Sequence, residues 1–138
     1  FGKMQRVIDG YYQAKAHKNG QFLKGVGVTA EGIENNPVMY ELLYELPWRP
    51  ERFEKDRWVA DFVKARYGRT LPDVSQAWKI LSNTVYSAPY TGTQEGTTES
   101  VFCARPALKV EHVSTWGSAK LNYDPKETQQ ALRFQSFI

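Results

Sequence analysis

The sequence predicts a mainly α fold, and three observations carry that prediction. Apolar residues recur at helical spacing in four separate segments of the 138-residue chain, and a capping sequence opens a fifth helix. A single stretch, residues 21–29, has the β-branched, glycine-interrupted composition of a strand, and one strand cannot complete a sheet. No window approaches the roughly 18 consecutive apolar residues of a transmembrane helix.

The elements follow in order. Met4, Val7, Ile8, Tyr11 and Tyr12 repeat at i, i+3, i+4, i+7 and i+8, so a first helix is expected over 3–16 despite Gly10. His17-Lys18-Asn19-Gly20 closes it, with basic residues in the last turn and Asn-Gly as the exit. Gln21-Phe22-Leu23-Lys24-Gly25-Val26-Gly27-Val28-Thr29 reads as a buried strand. The chain then turns through Ala30-Glu31-Gly32-Ile33-Glu34-Asn35 into a second helix, with Asn36 as N-cap and Pro37 in the first helical position. Val38, Met39, Leu42, Leu43 and Leu46 form its apolar stripe, and Pro47 stops it.

Lys55 or Asp56 starts a third helix, which turns Trp58, Val59, Phe62, Val63 and Tyr67 to the core and places Gly68 just past its end. Pro72-Asp73 starts a fourth, with Val74, Ala77, Trp78, Leu81 and Val85 at helical spacing. Residues 88–123 read as a long loop, and 91–100 contain no apolar residue to fold around. Asp124-Pro125-Lys126-Glu127 opens a last helix in capping-box register, expected to run to Ile138. The lone strand would leave its N–H and C=O groups unsatisfied, so it is expected to pair with a partner chain or with strands of a larger fold.

Composition excludes some functions. Eighteen Lys and Arg against fifteen Asp and Glu give a net charge of +3. The isoelectric point is near 9.0, but the cations are scattered and alternate with acids along Arg49–Arg57. A nucleic-acid footprint needs cations clustered against successive phosphates, so no nucleic-acid partner is expected. Hydrophobic residues at 41% and a mean hydropathy of −0.55 are the balance of a globular chain and not of a disordered one. The single Cys103 forms neither an internal disulfide nor a thiolate cage and reads as a buried, inert thiol. His17 and His112 lack ligand spacing, and no glycine-rich phosphate loop or Ser-His-Asp arrangement is visible, so neither a metal nor a cofactor is expected. The opening Phe1-Gly2-Lys3-Met4-Gln5-Arg6 carries no legible targeting address.

The most informative region runs from Gly25 to Leu42. It places the Glu31 carboxylate directly after the carboxyl end of the expected strand and just ahead of a helix. In (β/α) barrels that is the catalytic face, where residues from several strand ends converge. Gly25 and Gly27 would permit close backbone approach, and Gly32 a turn that aims its neighbour into a cleft. From spacing alone, Glu31 is equally open to being a polar loop residue.

In this region the chain has Gly25-Val26-Gly27, Glu31-Gly32-Ile33, Asn36-Pro37-Val38-Met39-Tyr40 and Trp48-Arg49, in that order. Trp58, Ala65-Arg66-Tyr67-Gly68, Ala77-Trp78-Lys79-Ile80-Leu81, Val85-Tyr86, Arg105-Pro106-Ala107-Leu108 and Trp116 continue the series. Together they resemble the α-N-acetylglucosaminidases, family 89 of the glycoside hydrolases, over about residues 1–133.

The resemblance implies residues 1–48 as the last βα segment of a (β/α)₈-like catalytic barrel and 49–138 as the start of an all-α domain. It implies part of a retaining exo-glycosidase that removes terminal α-linked N-acetylglucosamine from glycans, with Glu31 as nucleophile. Retention requires two carboxyl groups about 5 Å apart. In the family the acid/base glutamate lies well upstream, whereas the one acid before Glu31 is Asp9, in mid-helix. The isolated chain is therefore expected to be inactive, with the remainder of the parent enzyme completing the fold and the site. A parent of this type works in a secreted, periplasmic or lysosomal setting, with its signal outside this chain.

Tyr40, Trp48, Arg105 and Trp116 are candidate substrate contacts, since aromatic faces and a guanidinium suit sugar rings and their polar substituents, although packing or ion pairing would explain them too. Trp58 and Trp78 lie on helical apolar stripes and read as core. The alternative reading of the chain is a non-catalytic carbohydrate-binding or helical interaction module.

Overall fold

A computed structural model describes residues 3–29, 36–87, 105–110 and 123–134. Among them five helices form, the first four where apolar periodicity predicts them and the last where its capping sequence does: α1 (Met4–Ala16), α2 (Pro37–Glu45), α3 (Lys55–Tyr67), α4 (Pro72–Asn83) and α5 (Pro125–Leu132). Proline occupies the first turn of α2, α4 and α5, where its missing N–H costs no helical bond. Gly68 ends α3 with a left-handed φ of 69°, a conformation that a side chain would strain. Gly20 is required by space, because a Cβ there would sit 2.0 Å from the Lys15 carbonyl oxygen.

Helix α1 packs on α2 and α3, α3 on α4, and α4 on α5. One continuous core joins α1 to α4: Met4 and Ile8 of α1, Val38 and Leu42 of α2 with Leu46 just past its end, Trp58, Val59, Phe62 and Val63 of α3, Val74 of α4, and Tyr86. Trp58 and Trp78 both serve this core, as their helical spacing predicts.

The connection from 49 to 54 is strapped to α1. The Tyr12 hydroxyl donates to the Glu51 carbonyl at 2.6 Å, the Lys15 ammonium reaches the Pro50 carbonyl at 3.4 Å, and Arg52 pairs with Asp9. Asp9, the acid upstream of Glu31, is therefore engaged in holding this connection. At the other end of the stack Lys55 closes the C-terminus of α4, donating to the Ser82 carbonyl (3.1 Å), Asn83 Oδ1 (2.6 Å) and Ser87 Oγ (3.3 Å). An ammonium at a helix C-terminus satisfies carbonyls that have no intrahelical donor and complements the helix dipole.

Three local expectations need correction. The stretch 21–29 is not a buried strand: a 3₁₀ turn, Gly20–Phe22, is followed by residues 23–29 without a ladder, and no strand occurs among the described residues. Phe22 is 69% exposed, because a strand is buried only when neighbouring strands cover it and none is described here. The close approach expected at Gly25 and Gly27 is not made among the described residues, where a Cβ at either meets nothing within 4 Å. Helix α5 stops at Leu132, with a turn at 133–134 that returns the Phe134 N–H to the Ala131 carbonyl. Most of the expected long loop, including Cys103 and His112, lies outside the described residues.

Candidate functional site

Helix α2 is the element that follows the Glu31 segment, so it sets where that segment re-enters the fold. Glu31 and Trp116 themselves lie outside the described residues. Tyr40 sits half-buried in the fourth position of α2. Trp48 ends the 3₁₀ turn Leu46–Trp48 that extends α2, and it is 86% exposed, a large aromatic face presented to solvent. Seven residues lie between the two, in α2 and the 3₁₀ turn that follows it, so Tyr40 and Trp48 stand roughly 12 Å apart along the axis. Arg105 is exposed in a stretch without regular structure.

Both ends of α2 are held by groups that sequence periodicity does not single out. Asn36 occupies the N-cap position and its carbonyl accepts from Met39 and Tyr40 N–H, but its side chain makes no cap. Asn36 Nδ2 donates instead to the Tyr86 hydroxyl at 2.6 Å. Asn36 thus holds the expected N-cap position through its backbone, while its side-chain amide reaches a partner 50 residues away. At the other end Glu45 accepts from Trp58 Nε1 through one oxygen and from Arg49 through the other, with Arg49 Nε at 2.8 Å. Arg49 also lies over the Phe53 ring, 5.4 Å from its centroid.

The Tyr86 phenol is buried beside its contact with Asn36. Burial raises its phenol above the ordinary 10.0, and the hydrogen bond from Asn36 pulls it partly back. A raised phenol favours the folded state while it stays neutral; that contribution is complete below pH 10 and is lost as pH rises through the folded value, because the unfolded phenol ionises first. The expected result is a urea midpoint that falls more steeply above pH 10 in the parent chain than in Tyr86→Phe. Parallel curves for the two would refute it.

Two surface depressions neighbour this region. A cleft of about 370 Å³ is lined by Arg49, Arg52 and Arg57 together with Glu51, Glu54 and Asp61. Its charges balance, and Arg49 and Arg52 are already paired with Glu45 and Asp9, so it offers no concentrated site for an anion. An apolar groove of about 540 Å³ lies along α5 between Leu81 and Leu132. Among the described residues no helix is long and apolar enough to cross a membrane, and no group of three His, Cys, Asp or Glu is placed to hold a metal ion.

Comparison with known proteins matches two family models in succession along the chain. Residues 1–50 match the family model of the alpha-N-acetylglucosaminidase (NAGLU) tim-barrel domain, and residues 58–135 match that of the alpha-N-acetylglucosaminidase (NAGLU) C-terminal domain. Alpha-N-acetylglucosaminidase from Homo sapiens is 33% identical over 117 residues, which are 84% of this chain and 15% of that protein. A family 89 glycoside hydrolase from Clostridium perfringens in complex with PUGNAc superposes with a TM-score of 0.83 at 32% identity, over 96% of this chain and 15% of that one. The Clostridium perfringens enzyme in complex with its substrate GlcNAc-alpha-1,4-galactose gives 0.81 at 30% identity, with the same coverage. The chain thus spans 15% of the length of these relatives, joining the end of one family domain to the start of the next. With more than half of its residues in the C-terminal-domain match, the chain belongs to the alpha-N-acetylglucosaminidase family, family 89 of the glycoside hydrolases.

Proposed function

We propose that this chain is the nucleophile-bearing segment of a retaining exo-α-N-acetylglucosaminidase, with residues 1–48 completing the catalytic barrel and 49–138 beginning the helical domain. The observation that carries the reading is the order of the two family matches on one chain, barrel then helical domain, with Glu31-Gly32-Ile33 directly ahead of α2. Glu31, as an ionised carboxylate, attacks the anomeric carbon while a second carboxyl group from the remainder of the enzyme protonates the leaving oxygen. The same second group then deprotonates the water that releases the sugar, so two inversions give net retention.

Trp48 suits stacking on a sugar face because its ring is exposed and already oriented by the end of α2. Tyr40, Arg105 and Trp116 are the further proposed substrate contacts. The substrate class is a glycan ending in α-linked N-acetylglucosamine, by analogy with the disaccharide bound to the Clostridium perfringens relative. A secreted, periplasmic or lysosomal setting fits such a substrate.

The test compares the isolated chain with the full-length enzyme on 4-nitrophenyl α-N-acetylglucosaminide. The isolated chain is expected to release no 4-nitrophenol, and the full-length enzyme to release it with the α-anomer as the sugar first seen by proton NMR. Hydrolysis by the 138 residues alone would defeat the half-site reading, and a β-anomer formed first would defeat retention.

A further inference from the structure

Four aromatic rings run in line from α3 to the turn after α4. Trp58 stacks on Phe62 (5.5 Å between centroids, 19° between planes), Phe62 meets Trp78 edge-on (4.8 Å, 74°), and Trp78 stacks on Tyr86 (6.4 Å, 12°). Each end of this ladder carries a polar atom, and each polar atom meets an end of α2. Trp58 Nε1 donates to Glu45, the last residue of α2, and the Tyr86 hydroxyl accepts from Asn36, the residue before its first. Nine residues of α-helix span about 13.5 Å, so the ladder grips α2 at two well-separated points. Two such points define both the helix's position along its axis and its rotation about it. Tyr86 also fixes the start of α1, its carbonyl accepting the Met4 N–H at 3.0 Å.

Packing does not require the polar half of this arrangement. A phenylalanine at 86 would keep the stack on Trp78 and the burial, while the hydroxyl carries a desolvation cost that only a partner offsets. Asn36 supplies that partner through Nδ2, at an N-cap position where its side chain makes no cap bond. Covalently, Asn36 is the downstream stem of the segment that holds Glu31, five residues earlier and therefore within about 18 Å. Misplacing a reacting group by an ångström through a change outside the chemistry itself costs a reaction up to about 100-fold.

We propose that Asn36 and Tyr86 are positioning residues for hydrolysis: their hydrogen bond seats the start of α2 against the helical domain and thereby holds the stem of the Glu31 segment in register with the rest of the site. This rests on the reading of Glu31 as nucleophile. The helical domain then serves the barrel reaction directly, through one hydroxyl.

The experiment uses the full-length enzyme and 4-nitrophenyl α-N-acetylglucosaminide, with Tyr86→Phe, Asn36→Ala, the double variant and Glu31→Gln assayed together. Each single variant is expected to lower kcat about 10-fold with KM changed by less than about two-fold, and the double variant to fall no further than either single one, because both remove the same bond. A lower Tm with parental kcat per folded enzyme would reduce the bond to a structural contact and overturn the proposal. So would additive losses in the double variant, or failure of both single variants to fold. If one of them does not fold, the kcat of the other decides. Parental kcat in Tyr86→Phe beside an inactive Glu31→Gln overturns the positioning role alone, whereas turnover retained in Glu31→Gln overturns the nucleophile reading beneath it.

Discussion

Replacing Glu31 by glycine in the full-length enzyme is expected to abolish hydrolysis of 4-nitrophenyl α-N-acetylglucosaminide, by about 10⁴-fold or more, and added azide is expected to restore release of 4-nitrophenol. The size follows from what the residue is asked to do. A nucleophile forms the bond that divides the reaction into two displacements, and without it neither displacement has a path of comparable barrier. A loss of 10⁴ corresponds to about 5.4 kcal/mol of transition-state stabilisation, within the range that removal of a covalent nucleophile produces in other enzymes. Azide is small enough to enter the space that the missing side chain leaves, and it attacks the same anomeric carbon from the same side. Because no second displacement follows, the product is the β-glycosyl azide, and its configuration by NMR reports which face was attacked. Residual turnover above about 1% of parental, or azide rescue yielding an α-linked product, would remove Glu31 from the role.

Leu42→Ala in this chain is expected to lower the free energy of unfolding by about 3 kcal/mol, measured by urea titration. Leu42 is fully buried, and the core it belongs to draws on α1, α2, α3, α4 and the Tyr86 turn. The lost methyl groups therefore leave a cavity that several elements would have to close at once, which is the condition under which a leucine deletion costs most. About 3 kcal/mol is a large part of the stability of a small domain and changes the ratio of folded to unfolded chain by roughly two orders of magnitude. Since the core runs unbroken from residues before 48 to residues after 49, the loss should displace a single cooperative transition. Two transitions, of which Leu42→Ala moves one, would show the two segments to be energetically separate. Leu132→Ala is the comparison: Leu132 is 62% exposed, and its truncation is expected to stay within about 0.5 kcal/mol.

The helices were legible because their signals are local. Apolar residues three and four apart, prolines at 37, 72 and 125, and Gly68 declare each helix and its ends within a span of a dozen residues. The identity of the family was legible for a related reason, since Glu31-Gly32-Ile33 and the tryptophan and arginine positions after it form an ordered pattern that needs no structure to read. What stayed hidden depends on neighbours. Residues 21–29 have the composition of a buried strand, yet burial is a property of what covers a segment, and Phe22 and Val28 stand exposed. Asn36 reads as an N-cap from its position and is one, but the partner of its side-chain amide, the Tyr86 hydroxyl, lies 50 places away and has no local signal.

By itself, then, the sequence determined five helices and their starts, the apolar faces of the first four, and the family to which they belong. Only the tertiary structure decided that an aromatic ladder from α3 and α4 holds both ends of α2, through Glu45 and Asn36. The reason is the range of the interactions: helical periodicity is written by contacts three and four residues apart, while the partner of a polar side chain is chosen by packing between elements that the chain brings together only when it folds.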